Sequence, residues 1–446
     1  MTNFPDINSN SAALYEQAKE ILPMGGSRSL LYMTPYPIFA KSGKGCRITD
    51  ADGVERVDYV NNYTTLLLGH CHPAVVDAVQ KQAALGMCYA MPEESEYQLA
   101  RLLCDRVPSI EQIRFSNTGT EAVMTAIKGA RAYAGKPKIA KIEGAYHGSY
   151  DYAEVSLASD PQNWGQGDPA AVAYSRGVPQ GVLDDVVVLP HNRVEESRRI
   201  LDAHADELAG VLFDAIPSKI GCIPAAPEYI QMLRDFTRET DTVFILDEVL
   251  TFRAGYAGVQ GAYGIDPDIT TLGKVIGGGL PIGAIGGRKK FMEVFDQRHG
   301  SPGVAHTGTF NANPMSMVAG YAAMNVLQHE DFERLNELGQ YARDSLAEAF
   351  KIAGVEGQVT GDNSLFYIQL GHDEIVDYRS AFPAHTGERA EAVELLYKHL
   401  LNHGSIISPW GVGCLSTPME RADIDQLADG LLSGLRAYST GTLKVA

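Results

Sequence analysis

From residue 112 onward the chain alternates short, almost wholly apolar runs with stretches of helical period, and few architectures accept that rhythm. The runs cover 112–116, 138–143, 186–190, 210–214 and 242–247; the helical stretches cover 119–134, 194–207 and 226–239. A strand apolar on both faces must be covered on both faces. The pattern therefore predicts an α/β fold with a largely parallel sheet and helices packed on each side. Such sheets bind ligands beyond the carboxyl ends of their strands. Three segments occupy those ends: SNTGTE (116–121), DAIP (214–217) and the pair Asp247-Glu248.

The flanking regions read differently. Residues 11–22 carry apolar positions at helical spacing, stopped by Pro23-Met24-Gly25-Gly26. Residues 36–60 suggest strands with a turn at 50–53, followed by helices at 73–85 and 94–106. After 330 the order is a long helix (331–353), a strand (365–370), a helix (388–403), a short strand (405–408) and a last helix (421–438), an α+β pattern. The connection 155–182, rich in Gly, Pro, Ser and Asp and holding Trp164, is long enough to be either a functional loop or a disordered one.

Composition removes several function classes. With 37 Lys and Arg against 55 Asp and Glu, the net charge is −18, which disfavours nucleic acid and anionic membrane surfaces as partners. No apolar run approaches the roughly 20 residues of a transmembrane helix. The first residues, MTNFPDINSN, have neither the basic nor the apolar part of a signal peptide, so the expected location is cytoplasmic. The six cysteines form no CxxC pair and read as free thiols, and no metal site is expected. Cys71 sits in GHCHP (69–73), a turn with Pro73 at the first position of a helix. Glycine is in surplus, 45 of 446 residues, against an average of roughly 7%. Seven of them fall between Gly273 and Gly287.

Four segments carry chemistry. Phe244-Ile245-Leu246-Asp247 is a buried strand ending in a carboxylate, which needs a cationic or donor partner. Lys274 stands 27 positions later among apolar and Gly residues, where a lysine has its pKa lowered and can form a Schiff base. Gly119 and Thr120 open a helix whose free N–H groups can cradle a phosphate. Tyr146, in Tyr146-His147-Gly148, follows a strand and can stack on a flat ligand. Each has an ordinary structural reading: salt bridge, surface lysine, plain N-cap, core tyrosine. Together, on the strand ends of one sheet, they match what a phosphorylated pyridine aldehyde needs. Its phosphate needs N–H donors, its ring an aromatic face, its nitrogen an anion and its aldehyde an amine.

On these residues the chain resembles the fold-type I, class III pyridoxal 5'-phosphate (PLP) aminotransferases, in the branch of glutamate-1-semialdehyde aminomutase. The matching stretches are GHCHP (69–73), SNTGTEA (116–122), YHG (146–148), FILDEV (244–249), TLGKVIGGGLPIGAIGG (271–287) and HTGTFNANP (306–314). The resemblance implies a mostly parallel seven-stranded sheet with helices on both faces, plus a small α+β domain drawn from both termini. The expected division is 1–75, 76–325 and 326–446, the middle part binding PLP. It implies that Lys274 forms the Schiff base, Asp247 pairs with the ring nitrogen, and Val249 and Tyr146 cover the two ring faces. Gly119 and Thr120 would hold the phosphate, with Thr309 reaching the phosphate of a neighbouring subunit, so that the enzyme is a homodimer. Freed by an amino donor, Lys274 would move the proton of the amine-bearing carbon, and a keto acceptor would complete a ping-pong cycle.

For the substrate, SRSLLYMTPYP (27–37) is similar to the corresponding stretch of β-phenylalanine aminotransferases, whose matching arginine binds the carboxylate. Arg28 takes that place here. Two positions depart from the pattern. Trp410 stands where those enzymes carry a second arginine. Asp214-Ala215 replaces the usual Glu-Pro, leaving Ser218 as the candidate for the cofactor's 3′-oxygen. Tyr63, Tyr32 and Tyr36, with Tyr89 as a further candidate, suggest a partly aromatic pocket. The leading expectation is an aminotransferase acting on an amino acid, β- or aromatic. The alternatives are an intramolecular aminomutase of the glutamate-semialdehyde type and an amino-acid racemase or epimerase.

Overall fold

A computed structural model of the chain describes residues 4–298 and 300–443. Its central sheet has seven strands: β1 (Gln112–Ser116), β2 (Lys138–Ile142), β3 (Val186–Leu189), β4 (Leu208–Phe213), β5 (Val243–Asp247), β6 (Ile269–Gly273) and β7 (Gly283–Gly287). Their spatial order is β1-β7-β6-β5-β4-β2-β3. Strand β7 runs antiparallel to both neighbours, and the remaining pairs are parallel. The expected fold class is the one observed. All five apolar runs form strands. β6 (ITTLG) and β7 (GAIGG) escape a hydropathy reading because threonine and glycine dilute their apolar content, although every residue of both is buried.

Helices cover both faces. The helix Gly119–Ala134 starts at Thr118, whose hydroxyl accepts the Glu121 N–H, and ends at Gly135 in the left-handed region. Its face of Ala122, Ala126 and Ala130, fully buried, packs closely on β4, β6 and β7. The helix Pro227–Thr240 buries Tyr229, Met232, Leu233 and Phe236, each contributing about 1.5–3 kcal/mol of burial. The helix expected over 194–207 ends at Ala203, where the chain turns through His204.

The two termini build a shared layer. Strands Ala40–Lys44, Arg47–Asp50 and Glu55–Asp58 form an antiparallel set, and Ser405–Ile406 joins it parallel to Glu55–Asp58. A three-stranded sheet of Gly357–Thr360, Leu365–Leu370 and Val412–Cys414 lies alongside helices His329–Ala353 and Gly387–Asn402. Arg253, fully buried, ties these regions to the central sheet. It donates to Thr64 O (3.0 Å), Ser364 Oγ (3.0 Å) and Leu415 O.

The connection 155–182 is fastened to this body. Arg379 donates to the carbonyls of Trp164, Gly165 and Gly167 and lies over the Trp164 ring at 5.2 Å. It also pairs with the buried carboxylate of Glu143 at 3.0 Å. The cysteines are free among the described residues. No helix there is long and apolar enough to cross a membrane.

Candidate active site

The carboxyl ends of β1, β2, β4, β5 and β6 open into one pocket of about 340 Å³. Asp247 closes β5. Its Oδ2 accepts His147 Nδ1 at 2.7 Å, and its Oδ1 accepts Thr271 Oγ1 at 2.9 Å and the Val249 N–H at 3.0 Å. Three donors from three segments fix its orientation. His147 is buried, and its other ring nitrogen, Nε2, has no partner. Burial pushes its pKa down against the opposing pull of Asp247, which favours a neutral ring that donates from Nδ1.

Lys274 follows β6 directly and is half-buried. Its φ of 47° places a non-glycine residue in the left-handed region, a strain typically tolerated at functional sites. Burial lowers its pKa, with Asp247 and Asp214 opposing. Asp214, directly after β4, is pushed up to about 8, first by burial and then by the charge of Asp247.

One end of the pocket is the start of helix Gly119–Ala134. The N–H groups of Gly119 and Thr120 have no acceptor within the helix. A Cβ at Gly119 would lie 2.7 Å from Val249 Cγ1, so the glycine lets Val249 stand against the helix start. Gly148, with φ +89°, brings the Tyr146-His147-Gly148 turn down onto Thr120, and the Ser149 N–H donates to Thr120 Oγ1 at 3.1 Å. These features fit pyridoxal phosphate: free N–H groups at one end, an amine and an oriented carboxylate at the other, and an orphaned imidazole nitrogen behind the carboxylate.

The expected cofactor residues Lys274, Asp247, Gly119, Thr120, Tyr146, Val249 and Ser218 all line this pocket. Thr309 does not; it is exposed on the 306–313 loop. The substrate residues are placed less directly. Arg28, Tyr63 and Trp410 lie outside the lining. Arg28 reaches the rim by donating from Nη1 to Asn62 Oδ1 at 2.7 Å, and Asn62 does line the pocket. The Tyr63 hydroxyl donates to Leu30 O, and its ring stacks on Trp410 at 6.0 Å.

Two tyrosines are corrected. Tyr36 is buried against Phe4, its hydroxyl bonded to the Asp6 backbone, and Tyr89 donates to Leu85 O at the end of a helix. Both serve local structure.

Sequence reading missed three groups. His147 hides beside the more conspicuous Tyr146; Asp214 reads as a strand-end residue and as a departure from a pattern, with no role attached. Asn62 belongs to the longest run of left-handed backbone among the described residues: Asn61, Asn62, Tyr63 and Thr64 have φ of 49°, 49°, 55° and 77°. Left-handed backbone costs roughly 1–2 kcal/mol per non-glycine residue. Asp58 Oδ1 accepts the Val60 and Asn61 N–H groups, Asn61 Nδ2 donates to Cys414 O, and Arg253 holds Thr64 O. No periodicity signals such a turn.

Comparison with known proteins agrees with this geometry. Residues 32–419 match the family Aminotransferase class-III. A glutamate-1-semialdehyde 2,1-aminomutase from Methanocella arvoryzae is 37% identical over 96% of this chain and 99% of its own. An omega-transaminase from Sphaerobacter thermophilus is 47% identical, with a TM-score of 0.93 over 96% of this chain and 98% of its own. A β-phenylalanine aminotransferase from Variovorax paradoxus is 34% identical, with a TM-score of 0.86 over 98% and 95%. A strand-end pocket of this make-up and a match over most of the chain lead to one conclusion: the protein is a PLP-dependent enzyme of the class III aminotransferase family.

Proposed function

We propose that the enzyme moves an amino group from an amino acid, β- or aromatic, to a 2-oxo acid in a ping-pong cycle. The observation that carries this reading is the guanidinium of Arg28, held by Asn62 at the rim of the Lys274 pocket. A fork of fixed charge there suits a substrate carboxylate. The neighbouring Tyr63–Trp410 stack offers an apolar wall to a side chain. The 47% identity to an omega-transaminase supports the same reading.

Bound pyridoxal phosphate supplies an electron sink for the amine-bearing carbon. In our reading Asp247 holds the ring nitrogen's proton, and His147 and Thr271 hold Asp247. Gly119 and Thr120 bind the phosphate through N–H groups; Val249 and Tyr146 flank the ring. Lys274 would hold the cofactor, and its amine, once free, would move the proton of the amine-bearing carbon. Its lowered pKa favours the neutral amine that both tasks need. We read Thr309 as a phosphate ligand for a second copy, making the working enzyme a homodimer. The exposed apolar side chains of Met87, Met91 and Phe310 suit a surface that such a copy covers.

The test is a panel of amino donors with pyruvate or 2-oxoglutarate as acceptor. Product should require the acceptor, and parallel double-reciprocal plots should follow. Turnover of glutamate 1-semialdehyde without any keto acid would replace this reading with intramolecular transfer.

A further inference from the structure

Strand β4 runs parallel to β5 with Phe213 opposite Leu246. The ladder ends there; the next residues are Asp214, just past β4, and Asp247, the last of β5, and both line the same pocket. Neighbouring strands are about 4.8 Å apart, so two carboxyl groups share one site. Both are only 5% exposed. Like charges at that spacing and depth are not both retained.

The donors decide which carboxyl keeps its charge. Asp247 receives three, from His147, Thr271 and Val249. Asp214 receives the Ile216 N–H on Oδ1, at 3.0 Å. The titratable groups facing Asp214 are Asp247 and Glu248 from the β5 end, Lys274 from the β6 end, and Cys222. The upward shift of Asp214 to about 8 agrees with this assignment.

Strand order says what a neutral Asp214 would touch. The phosphate cradle follows β1, Lys274 follows β6 and Asp247 ends β5, with β4 next beyond it. A flat pyridine spanning these groups would turn toward β4 the edge opposite its phosphate arm, which carries the phenolic oxygen. We propose that Asp214 binds the cofactor as a neutral carboxylic acid, donating its O–H to that oxygen in place of Ser218. This rests on the cofactor roles of Asp247 and Lys274 given above, and is independent of which amine or keto acid is used.

Infrared difference spectra of wild-type and Asp214→Asn apo-protein at pH 7 read the carboxyl with no cofactor present. The carbonyl band of a neutral acid is expected in the wild type and not in the variant; a carboxylate signature in the wild type overturns the proposal. In the holoenzyme, the absorbance of bound cofactor is titrated with pH. A donor on the phenolic oxygen disfavours protonation of the neighbouring nitrogen. Asp214→Ala should therefore raise the midpoint by about one unit, and Ser218→Ala should leave it near the wild-type value. Asp214→Asn keeps the shape and an N–H donor, so its midpoint should stay closer to wild type, and it serves if the alanine variant does not fold. A midpoint that moves with Ser218→Ala and not with Asp214→Ala gives the role to Ser218 and overturns the proposal. Covalently bound cofactor retained in Lys274→Ala, with the infrared result intact, would be a failure of the lysine's role and not of this one.

Discussion

The residues proposed to hold the cofactor and those proposed to meet the substrate are built from different material. Asp247, Lys274 and Asp214 sit on or directly after strands of a buried sheet, and Thr271, within β6, donates to Asp247. On the other side, Arg28 and Trp410 are exposed on irregular chain from opposite ends of the sequence. Tyr63 stands on a left-handed turn between them. In the proposed function a rigid sheet holds the groups that amine transfer needs, and peripheral segments choose the amine. That division lets one scaffold serve transaminases and aminomutases alike.

The sharpest test of the contrast is Lys274→Ala, expected to lower kcat by at least about 10⁴-fold and abolish covalent retention of the cofactor. A variant that keeps more than a small fraction of kcat would break the comparison at its centre. His147→Ala leaves Asp247 Oδ2 without its buried donor. At about 1–3 kcal/mol, PLP binding should weaken roughly 10- to 100-fold, read by cofactor titration of the apo-protein. Across the pocket, Arg28→Ala should raise KM for carboxylate donors by about 10- to 100-fold and leave kcat and simple amines nearly unchanged. An equal rise for amines without a carboxylate would remove Arg28 from recognition.

The pH dependence of cofactor capture reads the same half. Lys274 has a folded pKa below its ordinary 10.5, so the neutral amine appears at lower pH than for a free lysine. The rate of PLP capture by apo-protein should rise with pH and level off below 10.5; a rise continuing past that value would contradict the burial effect. The smallest change is expected from Trp410→Ala. Trp410 is 37% exposed and stacks on Tyr63, so stability should fall by about 0.5–1.5 kcal/mol, with the preference among aromatic donors altered more than the rate.

Much of the first half was legible before any fold was known. A strand apolar on both faces and ended by Asp247 is a local statement, as is a helix opened by Gly119 and Thr120. Strands β6 and β7 were not legible, because Thr270, Thr271 and the glycines of GAIGG are buried by neighbours that hydropathy cannot see. The second half resisted for the opposite reason. Tyr36, Tyr63 and Tyr89 are equivalent as letters, and only packing separates a helix-end ligand from a pocket neighbour. Gly278 shows how far such packing reaches. A Cβ there would lie 2.5 Å from Ala319 O, so the loop after Lys274 is shaped by helix Pro314–Val326, some forty residues on.

The amino-acid sequence by itself determined five of the seven strands, the groups at their carboxyl ends and the kind of cofactor they suit, since burial period and residue type are properties of short segments. Tertiary structure alone decided which carboxyl has three donors and which has one, which residue tethers Arg28, and which aromatics reach the site. Those depend on strand order, which brings Asp214 and Asp247 into one pocket across 33 positions of sequence and joins the two ends of the chain in one layer.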